Sequence, residues 1–462
     1  MKVRLLLLAL IGQLSFAQDN PKIMSFEEYM GFVRKFHPLV KSADLEISAA
    51  QAALMTARGA FDPVLEADFE RKDFKGSTYY NVFNGTFKIP TWYGIEIKAG
   101  IDDNNGQYLN PQNLVPATGL GNVGISIPIA QDLFINKRMA DLRKAKLQQT
   151  LSRADRNLMA TAVLSEAAEA YFSWQRQYRE YELYQEFAKN AKIRLDGIKI
   201  LIQEGDKPVI DSTEARIVVV NRNLSLEDSK LKLIKARLEL SNFLWIENNV
   251  PLELAEDMIP EPDTEQRISE VLQTNEMITN NVDLNQHPKV QALETKVKML
   301  EIERRLAANR LLPRADFGYS YLFQPDSFDA SRRFDDYKVG FNFYFPIFIR
   351  KERGNLQRAK LALTDANLSL KFETRQLENK IQAAQTEIIS LEKQASLMRE
   401  LVRDTGTMLN AEIRLFEAGE SSLFLLNTRE NTLISSRLSE IAVRNRLLSA
   451  HAKLFETLAN PD

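Results

Sequence analysis

The chain has 462 residues, of which 44% are hydrophobic and 26% are charged, and its formal net charge at pH 7 is -2. This composition excludes a disordered chain and a helical protein that crosses a membrane many times. The near-zero charge gives no reason to expect nucleic acid as a partner. Because the chain has no cysteine, disulfide bonds, thiolate metal sites and lipid attachment at an N-terminal cysteine are also excluded.

Residues 1–17 are predicted to be a cleaved signal peptide. Lys2 and Arg4 are basic, "LLLLALI" at residues 5–11 is apolar, and "SFA" at residues 15–17 is a small-x-small cleavage site. A membrane anchor is disfavoured, because this apolar run cannot cross roughly 30 Å of hydrocarbon. We therefore expect an exported chain that starts at Gln18 and is not a lipoprotein. No later run has the ~18 apolar residues of a transmembrane helix, so a membrane-spanning part would have to consist of strands.

The rest of the chain is duplicated. "HPLVKSADLEI" begins at His37 and "HPKVQALETKV" begins at His287, and the same interval separates Pro63 from Pro313. Proline is favoured at the first helical position, so each His-Pro pair predicts the start of a helix. Histidine is a weaker N-cap than Ser, Thr, Asp or Asn, so this start signal depends mainly on the proline.

A shorter interval separates later pairs of matching positions. "LRKAK" at Leu142 resembles "LQRAK" at Leu356, and the same interval separates Gly205 from Gly419. The first copy therefore carries an insertion of about 36 residues between its Pro63 and its "LRKAK" segment at Leu142.

Each copy is predicted to contain a helix, strands, a very long helix, a glycine turn and a shorter helix. Repeat 1 covers residues 18–250, with strands over about 64–130, a long helix over 131–204, a turn at 205 and a helix over 206–249. Residues 251–285, which include several prolines and acidic residues, form an inter-repeat connection. Repeat 2 covers residues 286–462, with strands over about 314–347, a long helix over 349–418, a turn at 419 and a helix over 420–460. A capping box, "SFEE" at residues 25–28, predicts a short helix at the start of repeat 1.

The strand segments alternate between apolar residues and polar or small ones, which is the period of a strand with one apolar face. A soluble sandwich and the wall of a membrane barrel both have this pattern. The crowding of aromatic residues in repeat 2 favours the barrel wall, because outer-membrane barrels carry aromatic girdles. The residues expected to face lipid are Phe317, Tyr319, Tyr321, Phe323, Phe341, Phe343 and Phe345.

The two long helices contain no proline, and each would form a rod of roughly 105–110 Å. Such lengths indicate a coiled-coil-like bundle, in which each long helix lies antiparallel to two shorter helices stacked end to end. One repeat has too few strands to close a barrel, and an open sheet edge cannot face lipid. The protein must therefore form an oligomer around an axis if the strands enter a membrane. The last helix has a seam of residues spaced by four and three: Ile434, Leu438, Ile441, Asn445, Leu448, Ala452 and Phe455.

These features, together with "LFEAGESSLFLLNTRENTL" at residues 415–433, resemble the outer-membrane efflux proteins, the TolC-like family. The resemblance covers essentially the whole mature chain. It implies a mostly α-helical protein with a transmembrane β portion, which forms a homotrimeric β-barrel in outer-membrane lipid and an α-helical tunnel through the periplasm. It also implies passive conduction in a tripartite efflux or type I secretion system. The partners would be a periplasmic adaptor (membrane fusion) protein and an inner-membrane transporter of the RND or ABC type, with no cofactor.

The resemblance also implies roles for the glycine turns. In that family the turns form the periplasmic tip where the adaptor docks. The matching residues are Gly205, Asp206, Lys207, Pro208, Gly419, Glu420, Ser421 and Ser422. A simpler interpretation is that each glycine only supplies the positive φ of a helical hairpin.

An acidic ring narrows the tunnel entrance in some members of the family. The matching positions after the second turn are Leu425 and Thr428, so they do not support that ring. Asp211 and Glu214 stand at the same offsets after the first turn. They could form an acidic constriction or be ordinary solvated helix positions.

The insertion in repeat 1 departs from the family. "TFKIPTWYGIEIKAGIDDNNGQYLNPQN" at residues 86–113 offers one or two strands beyond the family's usual pair. It would form either a longer extracellular hairpin or a larger barrel.

No pattern in the sequence indicates an enzyme or a metal site. His37, His287 and His451 are far apart, and "DDNNG" at residues 102–106 lacks the spacing of a calcium loop. Phosphate-binding loops and nucleophile elbows are absent. The alternative to a channel is an exported coiled-coil structural or adhesin-like protein with a soluble β-domain.

Overall fold

The computed structural model describes residues 22–274, 282–326 and 335–460. The predicted signal peptide lies outside these residues, as does part of the predicted inter-repeat connection, residues 275–281. The α-helices of the described part are α1 Phe26–Phe36, α2 Pro38–Gly59, α3 Lys137–Gln203, α4 Val209–Ser241, α5 Thr264–Val271, α6 Pro288–Asn309, α7 Arg350–Glu417 and α8 Leu423–Leu458.

The two long helices, α3 and α7, have 67 and 68 residues. α3 begins at Lys137 rather than at residue 131, because a turn precedes it in which Asp132 has a φ of +71°. The Asn136 side chain accepts a hydrogen bond from the backbone N–H of Met139 at 2.9 Å and so caps this helix. None of the helices in the described part has both the length and the apolar character needed to cross a bilayer.

Side chains cap the helices that open each repeat. Ser25 Oγ accepts a hydrogen bond from the N–H of Glu28 at 3.1 Å, as a capping box requires at the start of α1. His37 Nδ1 accepts from the N–H of Leu39 at 3.3 Å, and His287 Nδ1 accepts from the N–H of Lys289 at 3.1 Å. The imidazole therefore stabilises these helix starts together with the proline.

The strands are β1 Lys22–Met24, β2 Val64–Phe74, β3 Ser77–Pro90, β4 Glu96–Asn105, β5 Leu120–Pro128, β6 Trp245–Ile246, β7 Val250–Pro251, β8 Met258–Pro260, β9 Arg314–Phe323 and β10 Tyr337–Tyr344. Six of them form one antiparallel sheet in the order β10-β9-β5-β4-β3-β2. β1 pairs in parallel with β8, and β6 pairs with β7.

The strand boundaries differ from the sequence pattern at three places. Tyr93 and Ile95 lie in the turn between β3 and β4, where Gly94 has a φ of +75°. Thr91 Oγ1 donates a hydrogen bond to the carbonyl of Ile95 at 2.7 Å and so stabilises this turn. Ile129 follows the end of β5, and Phe345 follows the end of β10. Phe345, predicted as a strand residue, is therefore outside the sheet.

The chain divides into two compact units. The first, residues 1–42, 159–282 and 379–462, is described here from residue 22. Its largest core combines aliphatic side chains with aromatic ones, of which Phe26, Tyr29, Tyr171, Phe172 and Trp174 are at most 1% exposed, 2% or less with Phe455 included. Tyr29 donates a hydrogen bond to the carbonyl of Ala167, and Tyr171 donates one to that of Met24 at 2.8 Å, so the buried hydroxyls are satisfied.

The predicted seam of α8 lies within this first unit. Ile434, Leu448, Ala452 and Phe455 are buried, and Leu438 and Ile441 are partly buried against a neighbouring cluster. The spacing of four and three therefore identifies the packed face of α8.

The second unit contains residues 43–158 and 283–378, which include the whole six-stranded sheet. A small apolar cluster of Leu151, Ala154, Ala292 and Met299 joins α3 to α6 within this unit.

Candidate functional site

The first glycine turn ends α3. Gly205 has a φ of +84°, and its N–H donates to the carbonyl of Ile202 at 3.1 Å. The N–H of Asp206 donates to the carbonyl of Leu201 at 2.9 Å. This pair of hydrogen bonds is the Schellman motif, in which a left-handed residue satisfies the last carbonyls of a helix.

The second glycine turn repeats this geometry at the end of α7. Gly419 has a φ of +77°, and its N–H donates to the carbonyl of Phe416 at 3.1 Å. The N–H of Glu420 donates to the carbonyl of Leu415 at 2.9 Å. A Cβ atom added at Gly205 or Gly419 would meet no atom within 4 Å. The backbone angle rather than crowding therefore requires glycine at both turns.

The two turns belong to one local structure. Lys207 Nζ, in the first turn, lies 4.9 Å from the centroid of the Phe416 ring at the end of α7. Beneath them lies an apolar cluster from all four helices, formed by Leu195, Ile198, Ala215 and Leu423 with Ile202, Val219 and Phe416 packed against it. The residues predicted for the tip are exposed except Lys207 and Ser421, which are half-buried.

Exposed apolar side chains that were not among the predicted tip residues flank the turns. Val209 is 72% exposed, Ile210 is 69% exposed and Phe424 is 71% exposed. Ile210 and Phe424 stand at the same position after Gly205 and Gly419. A comparison of the two repeats would therefore have identified this pair of apolar residues. Both turns are therefore flanked by large exposed apolar side chains.

The starts of α4 and α8 are capped differently. Ser422 Oγ accepts a hydrogen bond from the N–H of Leu425 at 3.2 Å, whereas Pro208, the N-cap of α4, makes no side-chain cap. Ser421 Oγ donates to a carboxylate oxygen of the buried Glu412. The second turn is therefore more strongly fixed by side chains than the first.

The four residues considered for the constriction lie in different environments. Asp211 and Glu214 are half-buried, whereas Leu425 and Thr428 are exposed. Glu214 Oε1 accepts a hydrogen bond from Asn427 Nδ2 at 3.1 Å. Thr428 Oγ1 donates to the carbonyl of Phe424 at 2.8 Å, within its own helix.

Glu214 is connected through Asn427 to a buried ion-pair network. Asn427 Oδ1 accepts from Arg194 at 3.3 Å, and Arg194 also pairs with Glu430. Arg222 Nη2 lies 3.2 Å from Glu430 Oε1. The Glu430 side chain is only 1% exposed, so its charge is balanced almost wholly by these two arginines.

The six-stranded sheet has one apolar face. Residues directly opposite each other on neighbouring strands share a face. Tyr319 lies opposite Ile125 and Val339, and Phe317 lies opposite Ile127 and Phe341. The predicted lipid-facing residues of β9 and β10 all lie on this face. Its apolar members are Leu65, Ala67, Phe69, Phe83, Phe87, Ile89, Ile97, Ala99, Ile101, Val123, Ile125, Ile127, Phe317, Tyr319, Tyr321, Phe323, Tyr337, Val339, Phe341 and Phe343. At the end of the sheet far from the helices, the same face carries the polar residues Arg71, Asn81, Asp103 and Asn105.

The other face of the sheet is mainly polar or small. It carries Glu66, Asp68, Asn84, Thr86, Lys88, Glu96, Lys98, Gly100, Asp102, Asn122, Ser126, Asp316, Ser320, Lys338 and Asn342. Lys88 pairs with Glu66 across this face, and Arg138 of α3 pairs with Glu96 at 2.7 Å. Within the described ranges, no cluster of histidine and acidic residues could hold a metal ion.

The family model that matches the sequence is described as "Outer membrane efflux protein", over residues 33–244 and 281–460. No curated protein matches the sequence.

Several solved outer-membrane channels have the same fold. The CmeC channel of Campylobacter jejuni is 14% identical, with a TM-score of 0.66 over 94% of this chain and 85% of that one. VceC of Vibrio cholerae is 13% identical, with a TM-score of 0.64 over 94% of this chain and 95% of that one. The open state of MtrE of Neisseria gonorrhoeae is 14% identical, with a TM-score of 0.64 over 94% and 89%.

Proposed function

This chain belongs to the outer membrane efflux protein family, and on that premise we propose that three copies of it form one channel for the cargo of a tripartite efflux assembly. The role as an outer-membrane efflux channel follows from the family, whose model matches both repeats. The family consists of channels, not enzymes. The homotrimer, its cleaved signal peptide, its non-lipoprotein status and its individual partners are the parts that we propose.

The observation that carries the proposal is the division of the sheet into an apolar and a polar face. In an outer-membrane barrel, apolar residues face lipid and polar residues line a water-filled interior. Phe317, Tyr319, Phe341 and Phe343 would then contact lipid, while Glu66, Lys98 and Asp316 would line the passage. A passage with charges of both signs suits passive conduction, in which the inner-membrane transporter supplies the energy for transport.

The paired glycine turns are the proposed docking site for a periplasmic adaptor protein. The eight tip residues would present the backbone of two adjacent hairpins, Gly205–Pro208 and Gly419–Ser422. Val209, Ile210 and Phe424 would add apolar contact area, and a few such anchor residues can carry most of the binding energy of an interface. The adaptor would connect the channel to an inner-membrane transporter of the RND or ABC type.

Asp211 and Glu214 are the proposed acidic side of the tunnel entrance. Their counterparts Leu425 and Thr428 carry no charge, so any selection by charge would come from repeat 1. The hydrogen bond from Asn427 supports this role for Glu214, because it holds the carboxylate in one orientation. Asp211, which is half-buried beside the turn, would complete the ring in a trimer.

An exported structural or adhesin-like protein is not favoured, since the efflux family model covers both repeats. Extraction and mass measurement test the assembly. We expect the protein to leave the outer membrane only with detergent, and light scattering to give the mass of a trimer. A protein released by salt as a monomer would contradict the proposal.

A further inference from the structure

Repeat 1 has an additional pair of strands, β3 and β4, and both lie inside the sheet. β3 pairs with β2 over the whole length of β2, with Lys88 opposite Val64 at one end and Ser77 opposite Phe74 at the other. β4 pairs with β3, with Glu96 opposite Pro90 at one end and Asn105 opposite Asn81 at the other. β4 then pairs with β5, which pairs with β9. Repeat 1 therefore contributes four strands where repeat 2 contributes two, and the added pair separates β2 from β5.

The turn of the added hairpin lies at the end of the sheet where the helices enter. Pro90 lies opposite Glu96, Glu96 lies opposite Ser126, and at the same end Arg314 lies opposite Tyr344. Each of β2, β5, β9 and β10 joins its helix at this end. A hairpin projecting as a loop from the far side of a membrane would instead turn at the opposite end. β3 and β4 thus run the full height of the sheet.

The added strands continue both faces of the sheet. Phe83 and Phe87 lie opposite Phe69 and Leu65 on the apolar face. On the polar face, Lys88 lies opposite Lys98. A wall strand in lipid needs this alternation, whereas an exposed hairpin does not. Residues 83–89 of β3 and 97–101 of β4 therefore have the alternation of a membrane wall, whereas Asn81, Asp103 and Asn105 make the far end of the same face polar.

The sheet has two edges, β2 and β10, that no described strand covers. Unpaired backbone groups cannot face hydrocarbon, so both edges need a partner in a membrane. Since the sheet has six strands and each runs antiparallel to its neighbour, β2 and β10 also run antiparallel to each other. β2 of one copy can therefore pair with β10 of another in the same pattern as the rest of the sheet.

We propose that the added hairpin is part of the barrel wall and that β2 of each copy pairs with β10 of the next. This inference rests on the proposed trimer. Three copies of the six-stranded sheet then close a wall of eighteen strands. With strands about 4.8 Å apart and tilted by about 40°, the backbone diameter is about 36 Å, against about 24 Å for twelve strands without the hairpin.

Disulfide crosslinking tests the pairing directly, since the natural chain has no cysteine. Ala67→Cys in β2 is combined in turn with Val339→Cys, Gly340→Cys, Phe341→Cys and Asn342→Cys in β10. After oxidation in outer-membrane fractions, we expect one or two of these pairs to remove most of the monomer band from a denaturing gel. Covalent dimers and trimers should replace it and should disappear on reduction.

Two further cysteine pairs are the matched controls. Phe317 and Phe341 lie opposite each other in one copy, so their cysteine variant should crosslink internally without raising the mass. Ala67 and Val123 are separated by two strands, about 14 Å across the sheet, which exceeds disulfide reach. A crosslink between cysteines at these two positions would mean that the hairpin lies outside the wall, and it would overturn the inference.

The trimer and the strand number can fail separately. A chain that is monomeric in detergent would overturn the proposed function and this inference together. A trimer in which none of the β2–β10 pairs crosslinks would overturn only the eighteen-stranded wall.

Cysteine labelling of β3 gives a second readout in reconstituted bilayers. Single cysteines that replace Asn84, Thr86 and Lys88 on the polar face should react with a membrane-impermeant maleimide. Single cysteines that replace Phe83 and Phe87 on the apolar face should not react. Labelling at all five positions would contradict a wall strand.

Discussion

Gly205 and Gly419 adopt the same left-handed backbone conformation, with φ of +84° and +77°, and each closes the same two hydrogen bonds at the end of a long helix. The two turns lie against one shared apolar cluster, and Lys207 of one contacts Phe416 of the other. A disturbance at either glycine should therefore affect one common surface.

Replacing either glycine with alanine should weaken its turn. The left-handed conformation costs an ordinary L-residue about 1–2 kcal/mol, although the added methyl group has free space at both positions. Amide hydrogen exchange of residues 201–206 in Gly205→Ala, or 415–420 in Gly419→Ala, should become faster. Gly205→Asn and Gly419→Asn are the controls, because asparagine tolerates this conformation better. Equal exchange in the wild type and the alanine variants would contradict the prediction.

Removing an apolar side chain at the tip should weaken adaptor binding. Phe424→Ala and Ile210→Ala should each lower the affinity for the adaptor about tenfold, or about 1.4 kcal/mol, as truncation of an exposed anchor does. Ile23→Ala in β1 is the matched control, since Ile23 is also exposed, at 53%. Surface plasmon resonance with the purified adaptor measures the effect. If both tip variants bind like the wild type, the docking surface lies elsewhere.

Neutralising Glu430 should destabilise the helices beside the turns. Glu430→Gln leaves Arg194 and Arg222 without their carboxylate, and breaking a buried pair in this way costs about 3 kcal/mol. Glu400→Gln is the control, because Glu400 is 60% exposed and its pair with Arg403 at 3.7 Å should contribute less than about 1 kcal/mol. Denaturant unfolding of the detergent-solubilised protein compares them. Equal stabilities of the two variants would show that the network contributes little.

Stability should decrease when the pH falls below neutral, partly because of His451. Burial lowers its pKa from 6.5 to about 4, so the unfolded chain takes up a proton before the folded chain does. The contribution of His451 to the free energy of unfolding is complete above pH 6.5. It falls by roughly 1.4 kcal/mol per pH unit between pH 6.5 and about pH 4. His451→Gln should flatten this slope in thermal unfolding scans. Burial also lowers the pKa of His37, so part of the slope should remain. An unchanged slope would rule out His451 as a source.

Charge on the apolar face of the sheet should block membrane assembly. Phe341→Lys places an ammonium group toward lipid, at a cost of about 2–4 kcal/mol near the middle of the bilayer. Asn342→Lys, the next residue on the polar face, is the control and should assemble normally. The fraction of trimer in outer-membrane fractions measures the difference. If the Phe341→Lys variant assembles normally, this face of the sheet does not contact lipid.

Local patterns were enough to predict much of this fold from the sequence. The glycine turns, the long helices and the strand alternation depend on residues close together in the chain, and the duplication showed each of them twice. The start of α3 was misplaced, because the cap at Asn136 gave a weaker signal than the absence of proline. The histidine caps were also undervalued.

The ion-pair network could not be predicted, because it joins residues far apart in sequence. Glu430 pairs with Arg194 of α3 and Arg222 of α4, and no local pattern identifies such partners. The insertion was ambiguous for a similar reason. Alternation predicts a strand but not its neighbours, so the position of β3 and β4 between β2 and β5 emerged only from the register.

Single-channel recording in planar bilayers tests the central claim most directly. The purified trimer should insert and give stable unitary conductance, because the polar face of the sheet would line a continuous aqueous passage. A folded trimer that inserts into the bilayer and conducts no ions would contradict the channel function.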